Sequence, residues 1–220
     1  MMILLNAVYF KGEWEVPFNK NDTHLKDFMN SGKVKKKVEM MLGKGSFKYY
    51  EQNEIQAIKL PYKKDHFQAL VILPPKNVNL NSFIQSDLNQ NLINEIIKGT
   101  KKENVILILP KFQLANSISL VDSLGKMGMQ ICFSQEANFC GMRKEKDIYI
   151  GDVLHKTFLK VDELGTEAAA VTAVDMRLKC RKKEIEFKEM TVNRPFFFFI
   201  INERLPENNQ LLFMSKIEKL

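Results

Sequence analysis

The stretch from residue 166 to residue 186 joins a run of small side chains to a run of long cationic ones. Its first half (TEAAAVTAV) consists of small side chains with a single charge, and its second half (DMRLKCRKKE) carries five cations within seven residues. Small side chains can enter a narrow slot at little steric cost, whereas long cationic ones favour solvent. A structureless connection of about 20 residues is uncommon unless it is functional. We therefore predict a functional loop whose first half is suited to burial and whose second half is suited to exposure in solvent. The alternative is an alanine-rich helix followed by a basic loop.

The other reactive residues form no recognisable catalytic or metal-binding pattern. The three cysteines, Cys132, Cys140 and Cys180, lack a CxxC spacing, and His24 and His66 have no partner at a ligand spacing. Cations beside Cys180 favour its thiolate, although an ordinary exposed thiol is the alternative. We find no Ser/His/Asp order, glycine-rich phosphate loop or carboxylate pair, and therefore predict no enzyme, no metal site and no cofactor.

Composition narrows the class of protein further. The chain has 220 residues, a net charge of +7, 45% hydrophobic and 27% charged residues, which excludes a disordered tail, a collagen-like fibre and a disulfide scaffold. No window approaches about 18 apolar residues, so we expect no membrane span, and the N-terminus lacks the features of a signal peptide. The basic clusters at 33–37 and 177–183 lack interleaved aromatic residues, so we predict no nucleic-acid partner.

Hydrophobic periodicity predicts more strands than helices. Strands are predicted at 3–10, 34–41, 46–50, 55–60, 66–73, 105–109, 148–159, 196–201 and 211–217. Helices are predicted around 80–88 and 92–97, with a short one after 117 or 119. Because the strands come in adjacent pairs rather than βαβ units, we expect an α+β fold with mainly antiparallel sheets, and a single domain over 1–220.

Two of these strands are continuous apolar runs without alternation. Residues 3–10 end at Lys11-Gly12, and residues 196–201 precede a turn that leads into 211–217. Such runs are typical of strands that are buried on both faces. We therefore expect both to be buried, and 211–217 to be the antiparallel neighbour of 196–201.

Short phrases in a fixed order along the whole chain resemble the serpins, the suicide-type serine protease inhibitors. They are Asn6–Trp14 (NAVYFKGEW), His155-Lys156, Glu163–Ala170 (ELGTEAAA), Asn193–Ile200 (NRPFFFFI) and Leu212–Met214 (LFM), with Leu109–Phe112, Leu124–Met129 and Phe133-Ser134 as shorter matches. The resemblance implies a serpin-like α+β fold with antiparallel and mixed sheets. It starts at the third strand of that family's central sheet, so the family's N-terminal helices have no counterpart in these residues.

The resemblance also implies a mechanism for the unusual loop. Residues 164–186 would be the reactive-centre loop, which a target protease cleaves to form an acyl-enzyme. The hinge would then insert as a new strand between the strands at 3–10 and 148–159, which requires a place for it there. The hinge residues are Glu163, Gly165, Thr166, Glu167, Ala168, Ala169 and Ala170.

Counting 16 residues from Glu163, as in inhibitory serpins, gives Lys179–Cys180 as the scissile bond. Arg181 and Arg177 are the alternatives if the loop register shifts. A long cation suits the carboxylate in the pocket of a trypsin-like serine protease, which is therefore the expected partner. The family favours a secreted, extracellular inhibitor. A non-inhibitory truncated serpin, acting as a binding protein or as a protease substrate, is the alternative function.

Three further residues match positions that control strand insertion in the family. Asn6 and His155 match the shutter pair, and Trp14 matches the breach tryptophan; the alternatives are satisfied core polar residues and a core aromatic. Without the N-terminal helices, we expect Ile3, Leu4, Leu5, Phe10 and the strand at 196–201 to lose part of their cover. The resulting apolar sheet surface predicts self-association.

Overall fold

The computed structural model describes residues 1–32, 34–63, 66–142, 144, 148–166 and 186–220. The strands are β1 (Met2–Tyr9), β2 (Gly12–Glu13), β3 (His24–Asn30), β4 (Val34–Gln52), β5 (Ile55–Pro61), β6 (Phe67–Leu73), β7 (Lys101–Pro110), β8 (Phe112–Ser119), β9 (Ile150–Asp162), β10 (Gly165–Thr166), β11 (Lys188–Thr191), β12 (Phe196–Asn202) and β13 (Leu211–Ile217). The α-helices are α1 (Leu80–Ser86), α2 (Gln90–Gly99) and α3 (Val121–Lys126), and short 3-10 turns span Lys20–Asp22, Ile131–Phe133 and Glu207–Asn209. The chain divides into two compact units, residues 1–10 with 113–160 and residues 11–112 with 161–220.

In the smaller unit, β1 and β9 form a parallel pair, and β8 also pairs with β9. From Ile3 opposite Asp152 to Tyr9 opposite Phe158, the two strands are bonded directly to each other. The gap that we expected between them is therefore absent along this stretch, and an inserting strand would first have to separate the pair.

The burial predicted for β1 is wrong. Ile3 is 55% exposed, Leu5 64% and Tyr9 53%, although all three belong to the apolar run. Pairing with β9 satisfies the backbone of one edge, but residues on both faces of the strand are exposed in the part of the chain that the structure describes. The exposure agrees with the expected loss of cover, while self-association through this surface stays a prediction.

In the larger unit, eight strands form one sheet in the order β11, β7, β4, β5, β6, β12, β13, with β3 paired to β4. The strand β12 pairs antiparallel with both β6 and β13, as predicted for β13. Its residues 196–201 are at most 1% exposed, so the expected loss of cover at this strand is wrong. Helices α1 and α2 cover one face of β12, and Phe112 packs edge-on against Phe196 and Phe198 on the other.

Helices α1 and α2 each begin after an asparagine whose side chain accepts a hydrogen bond from a backbone N–H of the first turn. The carboxamide oxygen of Asn79 accepts from the backbone N–H of Asn81, and that of Asn89 accepts from the N–H of Leu92. Helix α2 ends at Gly99, two residues beyond the predicted range. Its buried residues Ile93, Ile96 and Ile97 lie on the face that packs on the sheet.

The strand β4 joins two predicted strands into one. The ranges 34–41 and 46–50 were predicted as separate strands, yet one strand runs through Gly43 between them. A Cβ at this position would lie 2.8 Å from Cε1 of Phe18, so glycine is needed there for close packing and not for a turn. The short or polar strands β3, β8 and β11 were not predicted.

Candidate functional site

The predicted hinge starts at a tight turn that follows β9. The backbone N–H of Leu164 donates to Oδ1 of Asp162 at 2.9 Å, which closes the turn. The chain then reverses, and Gly165 and Thr166 pair antiparallel with Asp162 and Val161 at the end of β9. Residues 165 and 166 of the loop are therefore already part of a sheet.

These two residues also have a strand on their other side. Gly165 pairs with Glu13 and Thr166 pairs with Gly12, both in β2. The backbones approach so closely that a Cβ on Gly165 would lie 2.1 Å from the carbonyl oxygen of Gly12, and the φ angle of Gly165 is +151°. Only glycine fits at this position. Strand β10 is thus a short middle strand between β9 and β2.

Trp14 fixes the turn from the side of β2. Its backbone N–H donates to the carbonyl of Leu164 at 3.0 Å, and its indole Nε1–H donates to the carbonyl of Asp162 at 2.9 Å. The ring is 1% exposed and stacks on Tyr62, with centroids 4.6 Å apart. Trp14 is therefore a core aromatic that also holds the start of the loop.

Tyr62 binds the last described residue of the loop. Its hydroxyl lies 2.8 Å from Oγ1 of Thr166, and either group can donate. Thr166 is fully buried. Burial raises the pKa of the Tyr62 phenol, and the hydrogen bond to Thr166 offsets part of that rise. The phenol therefore stays neutral and available as a hydrogen-bond partner.

Glu163 anchors the turn through its side chain, which is 5% exposed. Its carboxylate accepts from the hydroxyl of Thr23 at 2.9 Å and pairs with Lys111 at 3.3 Å, while its carbonyl accepts from the N–H of Phe18 at 2.8 Å. Burial alone would raise the pKa of Glu163, but hydrogen bonds from its own backbone N–H and Thr23, together with Lys111, hold it below the usual value.

Lys111 joins this anchor to a second carboxylate. Its ammonium lies 3.2 Å from Oε2 of Glu39 in addition to its contact with Glu163. Burial would lower the pKa of Lys111, but the two carboxylates raise it above the usual value. The lysine therefore remains charged, and the buried carboxylate of Glu163 keeps its partner.

The predicted shutter pair belongs to the smaller unit. Asn6 and His155 are opposite each other in the β1–β9 ladder, and Nδ2 of Asn6 lies 3.3 Å from Nδ1 of His155. Asn6 is exposed and His155 half-buried, so within the described residues they are not core residues. This side-chain contact links the two strands that insertion would separate.

Several predicted site residues lie outside the described residues. They are Glu167, Ala168, Ala169 and Ala170 of the hinge, both residues of the Lys179–Cys180 bond, and the alternatives Arg177 and Arg181. In the described ranges, no group of three or more His, Cys, Asp or Glu side chains could hold a metal ion. No helix in the same ranges is long and apolar enough to span a membrane.

Comparison with known proteins identifies the family of this chain. A family model described as serpin (serine protease inhibitor) matches residues 1–220. The chain belongs to the serpin family. This serpin is 36% identical over 221 residues to intracellular coagulation inhibitor 2 of Tachypleus tridentatus, a match that covers 100% of this chain and 53% of that protein.

Two further relatives agree with this match. Serpin B10 of Papio anubis is 36% identical over 220 residues, covering 98% of this chain and 54% of its own. The native structure of the thermophilic serpin tengpin matches with a TM-score of 0.81 and 34% identity, covering 99% of this chain and 55% of tengpin. The predicted family and α+β fold are confirmed, and this serpin spans about half the length of these relatives.

Sequence reasoning missed the partners of the hinge in this serpin. Thr23 is 140 residues from Glu163, and Tyr62 is 104 residues from Thr166. Lys111 was noted only as part of the phrase at 109–112. No local pattern pairs residues at such separations, since the contacts arise when β9 and β2 meet around β10. The roles assigned to Asn6, His155 and Trp14 stay predictions, although their contacts are compatible with those roles.

Proposed function

We propose that this serpin is a suicide inhibitor of a trypsin-like serine protease, which cuts it after Lys179 and is trapped when the cut loop inserts between β1 and β9. The family match supports inhibition of serine proteases in general. The trypsin-like target, the bond and the insertion go beyond it. The observation that carries the proposal is the position of Gly165 and Thr166 between β9 and β2.

The strand register supports a continuation of this short middle strand. Asn6 and His155, which face each other directly, are 149 residues apart. Gly12 and Val161, which flank Thr166, have the same separation. A strand that extends β10 towards residue 177 would therefore separate β1 from β9 without a slip in register, which matters because a one-residue slip would turn every side chain to the opposite face.

The loop sequence suits this extension in both length and pattern. Antiparallel pairing continued from Thr166 would set residues 167–177 opposite residues 160–150, so a cut after Lys179 frees enough chain to line β9. Every second residue would share the face of Thr166. These residues are Ala168, Ala170, Thr172, Val174 and Met176, all uncharged, whereas the charged residues Glu167, Asp175 and Arg177 would share the opposite face.

Insertion exchanges one ladder for two. The parallel ladder between β1 and β9 is lost, and the new strand bonds antiparallel to each of them. The net gain is one ladder of roughly ten hydrogen bonds at about 1 kcal/mol each, before the cost of ordering the chain. Because the intact loop is tethered at both ends, the gain becomes available only after cleavage.

The trap depends on a competition at the acyl-enzyme. The protease serine attacks the carbonyl of Lys179, the amide bond to Cys180 breaks, and the new amino group of Cys180 leaves as the acyl-enzyme forms. Water would hydrolyse that ester and release an active protease. Insertion must therefore move and deform the protease before hydrolysis, so the outcome is a ratio of two rates.

Incubation of the purified protein with trypsin tests the proposal. We expect a denaturant-resistant complex on a gel and, by mass spectrometry, a cut after Lys179. Lys179→Gln should lose this cut and the complex. Cleavage after Lys179 without a complex would contradict inhibition and favour the non-inhibitory alternative, and a complex with a cut only at another residue would contradict the bond.

A pair of neighbouring hinge variants tests insertion itself. Ala168→Glu would bring a charge to the inner face beside Leu159, which is fully buried, whereas Ala169→Glu would bring it to the opposite face beside the half-buried Phe158. We expect Ala168→Glu to lower the yield of complex about tenfold or more, since burying an unpaired charge is costly, and Ala169→Glu to lower it far less. Equal losses in the two variants would contradict the proposed strand.

A further inference from the structure

The contact between Tyr62 and Thr166 is a buried side-chain hydrogen bond that holds strand β10. It joins Thr166, in β10, to Tyr62, which directly follows β5 and belongs neither to the loop nor to the strands β9 and β2 beside it. Its two hydroxyl oxygens are 2.8 Å apart, and both residues are buried, Thr166 fully and Tyr62 to 6% exposure. At this distance and burial, the loss of either hydroxyl removes a buried hydrogen bond.

Tyr62 is held rigidly for this contact. Its backbone N–H donates to the carbonyl of Phe67 at 3.1 Å, and it forms an isolated antiparallel bridge with Trp14. Its ring stacks on the indole at an interplanar angle of 17°. Backbone hydrogen bonds flank this bridge, since the N–H of Glu15 donates to the carbonyl of Pro61 and the N–H of Lys63 donates to the carbonyl of Glu13. The phenol is therefore preorganised at the position that Thr166 occupies.

Insertion of a strand that grows from β10 would leave this contact unchanged. Thr166 already has its neighbours Gly12 and Val161, so the residues that must move are those that follow it. The contact then stabilises the starting point from which the strand grows, because pairing next to a fixed residue orders fewer residues than pairing begun afresh.

We propose that Tyr62 is a positioning residue that latches Thr166 in the sheet and so sets the rate at which the cut loop begins to insert. The inference rests on the proposed function, since it names the side chain that starts the proposed insertion. Loss of the latch would leave β10 free to open, and insertion would begin later. More acyl-enzyme would then be hydrolysed, so more serpin would be consumed per protease trapped.

Substitutions that remove only the hydroxyl groups test the latch. Tyr62→Phe keeps the ring on Trp14, and Thr166→Val keeps the shape of the threonine, whereas Thr166→Ser retains a hydroxyl. We expect Tyr62→Phe and Thr166→Val each to raise the number of serpin molecules consumed per trypsin, with a shift in the ratio of insertion to hydrolysis of about fivefold, which corresponds to about 1 kcal/mol. The double variant should resemble the single ones, and Thr166→Ser should resemble the wild type.

A matched control separates the latch from a general loss of stability. Tyr50→Phe removes a hydroxyl that binds Glu95 at 2.9 Å in the same unit, away from the hinge. We expect it to leave the number consumed unchanged. In the uncleaved protein, the amides of Gly165 and Thr166 should exchange hydrogen faster in Tyr62→Phe than in Tyr50→Phe.

The outcomes distinguish the latch from the proposed function. If the wild type traps trypsin but Tyr62→Phe alters neither the number consumed nor the exchange at Gly165 and Thr166, the latch is wrong and inhibition stands. If the wild type forms no complex, inhibition is wrong, and unchanged exchange in Tyr62→Phe would overturn the latch as well. Faster exchange in that variant alone would then support a latch on β10 without a trap.

Discussion

Strands β12 and β9 of this serpin differ in how they pair with neighbouring strands. Strand β12 has β6 and β13 as neighbours along its length, and residues 196–201 are almost fully buried. Strand β9 changes its neighbour, from β1 over Ile150–Phe158 to β10 at Val161–Asp162. The first arrangement has no edge at which another strand could pair. The second keeps a place where one neighbour can replace another, and it is the place that the proposed trap uses.

The two regions also differ in what stabilises them. Around β12, aromatic rings pack on both faces, so the free energy of unfolding depends on the fit of large apolar side chains. Around β10, the contacts are hydrogen bonds and one buried carboxylate, supported by the stacked pair of Trp14 and Tyr62. We therefore expect substitutions near β12 to change global stability, and substitutions near β10 to change the fate of the loop.

The largest effect is expected in the core. Phe198→Ala removes a ring that is fully buried and 5.4 Å from the ring of Phe112, and it should lower the free energy of unfolding by about 3–5 kcal/mol. The control is Leu5→Ala in the exposed strand β1, for which we expect less than about 1 kcal/mol. Denaturant titration measures both. Equal losses of unfolding free energy in the two variants would show that side chains of β1 and β12 contribute equally to stability, which would contradict the comparison.

An intermediate effect is expected at the close approach of β10 and β2. Gly165→Ala would force a Cβ to within 2.1 Å of the Gly12 carbonyl oxygen, so β10 should leave the sheet at a cost of about 1–3 kcal/mol. We also expect a lower yield of complex with trypsin. Gly45→Ala is the matched strand variant, because its Cβ would meet nothing nearer than a Phe47 carbon at 3.8 Å. A Gly165→Ala protein that keeps wild-type stability and inhibition would contradict the arrangement of β10.

An effect of similar size at neutral pH, which shrinks in acid, is expected at the anchoring carboxylate. Glu163→Gln should cost about 1–3 kcal/mol at pH 7, because the buried carboxylate accepts charge-assisted bonds. The folded-state pKa of Glu163 lies below its usual value. Its contribution is therefore complete above the unfolded-state pKa, near about 4.3, and is lost as the pH falls through the folded-state value.

Unfolding measured from pH 7 to pH 3 should thus show wild type and Glu163→Gln converging in acid. Glu39→Gln is the control, because Glu39 pairs with the same Lys111 but its side chain is 58% exposed; its effect should stay below about 0.5 kcal/mol. A difference between wild type and Glu163→Gln that does not shrink in acid would show that the carboxylate charge is not what anchors the turn.

Local sequence patterns predicted much of the fold. The hairpin of β5 and β6, the pair of β12 and β13, and helix α2 are close to their predicted ranges, because each combines strong periodicity with a clear turn or cap. Strand β3 (HLKDFMN) and strand β11 (KEMT) were missed, since neither has a run of apolar residues. They form because β4 and β7 offer open edges for pairing.

The sequence likewise identifies only some residues of the candidate site. The composition of the hinge and the order of the family phrases identify Glu163, Gly165 and Thr166 from the sequence. Their partners Thr23, Tyr62 and Lys111 carry no signal of their own, because a threonine, a tyrosine or a lysine beside a strand end is common. Their role comes from contacts between residues far apart in the chain, by 140 residues for Thr23 and by 104 for Tyr62.

The sequence by itself determined the strands and helices with strong apolar periodicity, the family, and the alternation of charged and uncharged residues in the loop. These depend on the type and spacing of neighbouring residues, which a chain carries wherever it folds. Only the tertiary structure decided that the apolar run of β1 is exposed while that of β12 is buried, and that Gly165 and Thr166 lie between two strands. Burial and pairing depend on which distant segments meet, and the same local pattern is compatible with either outcome.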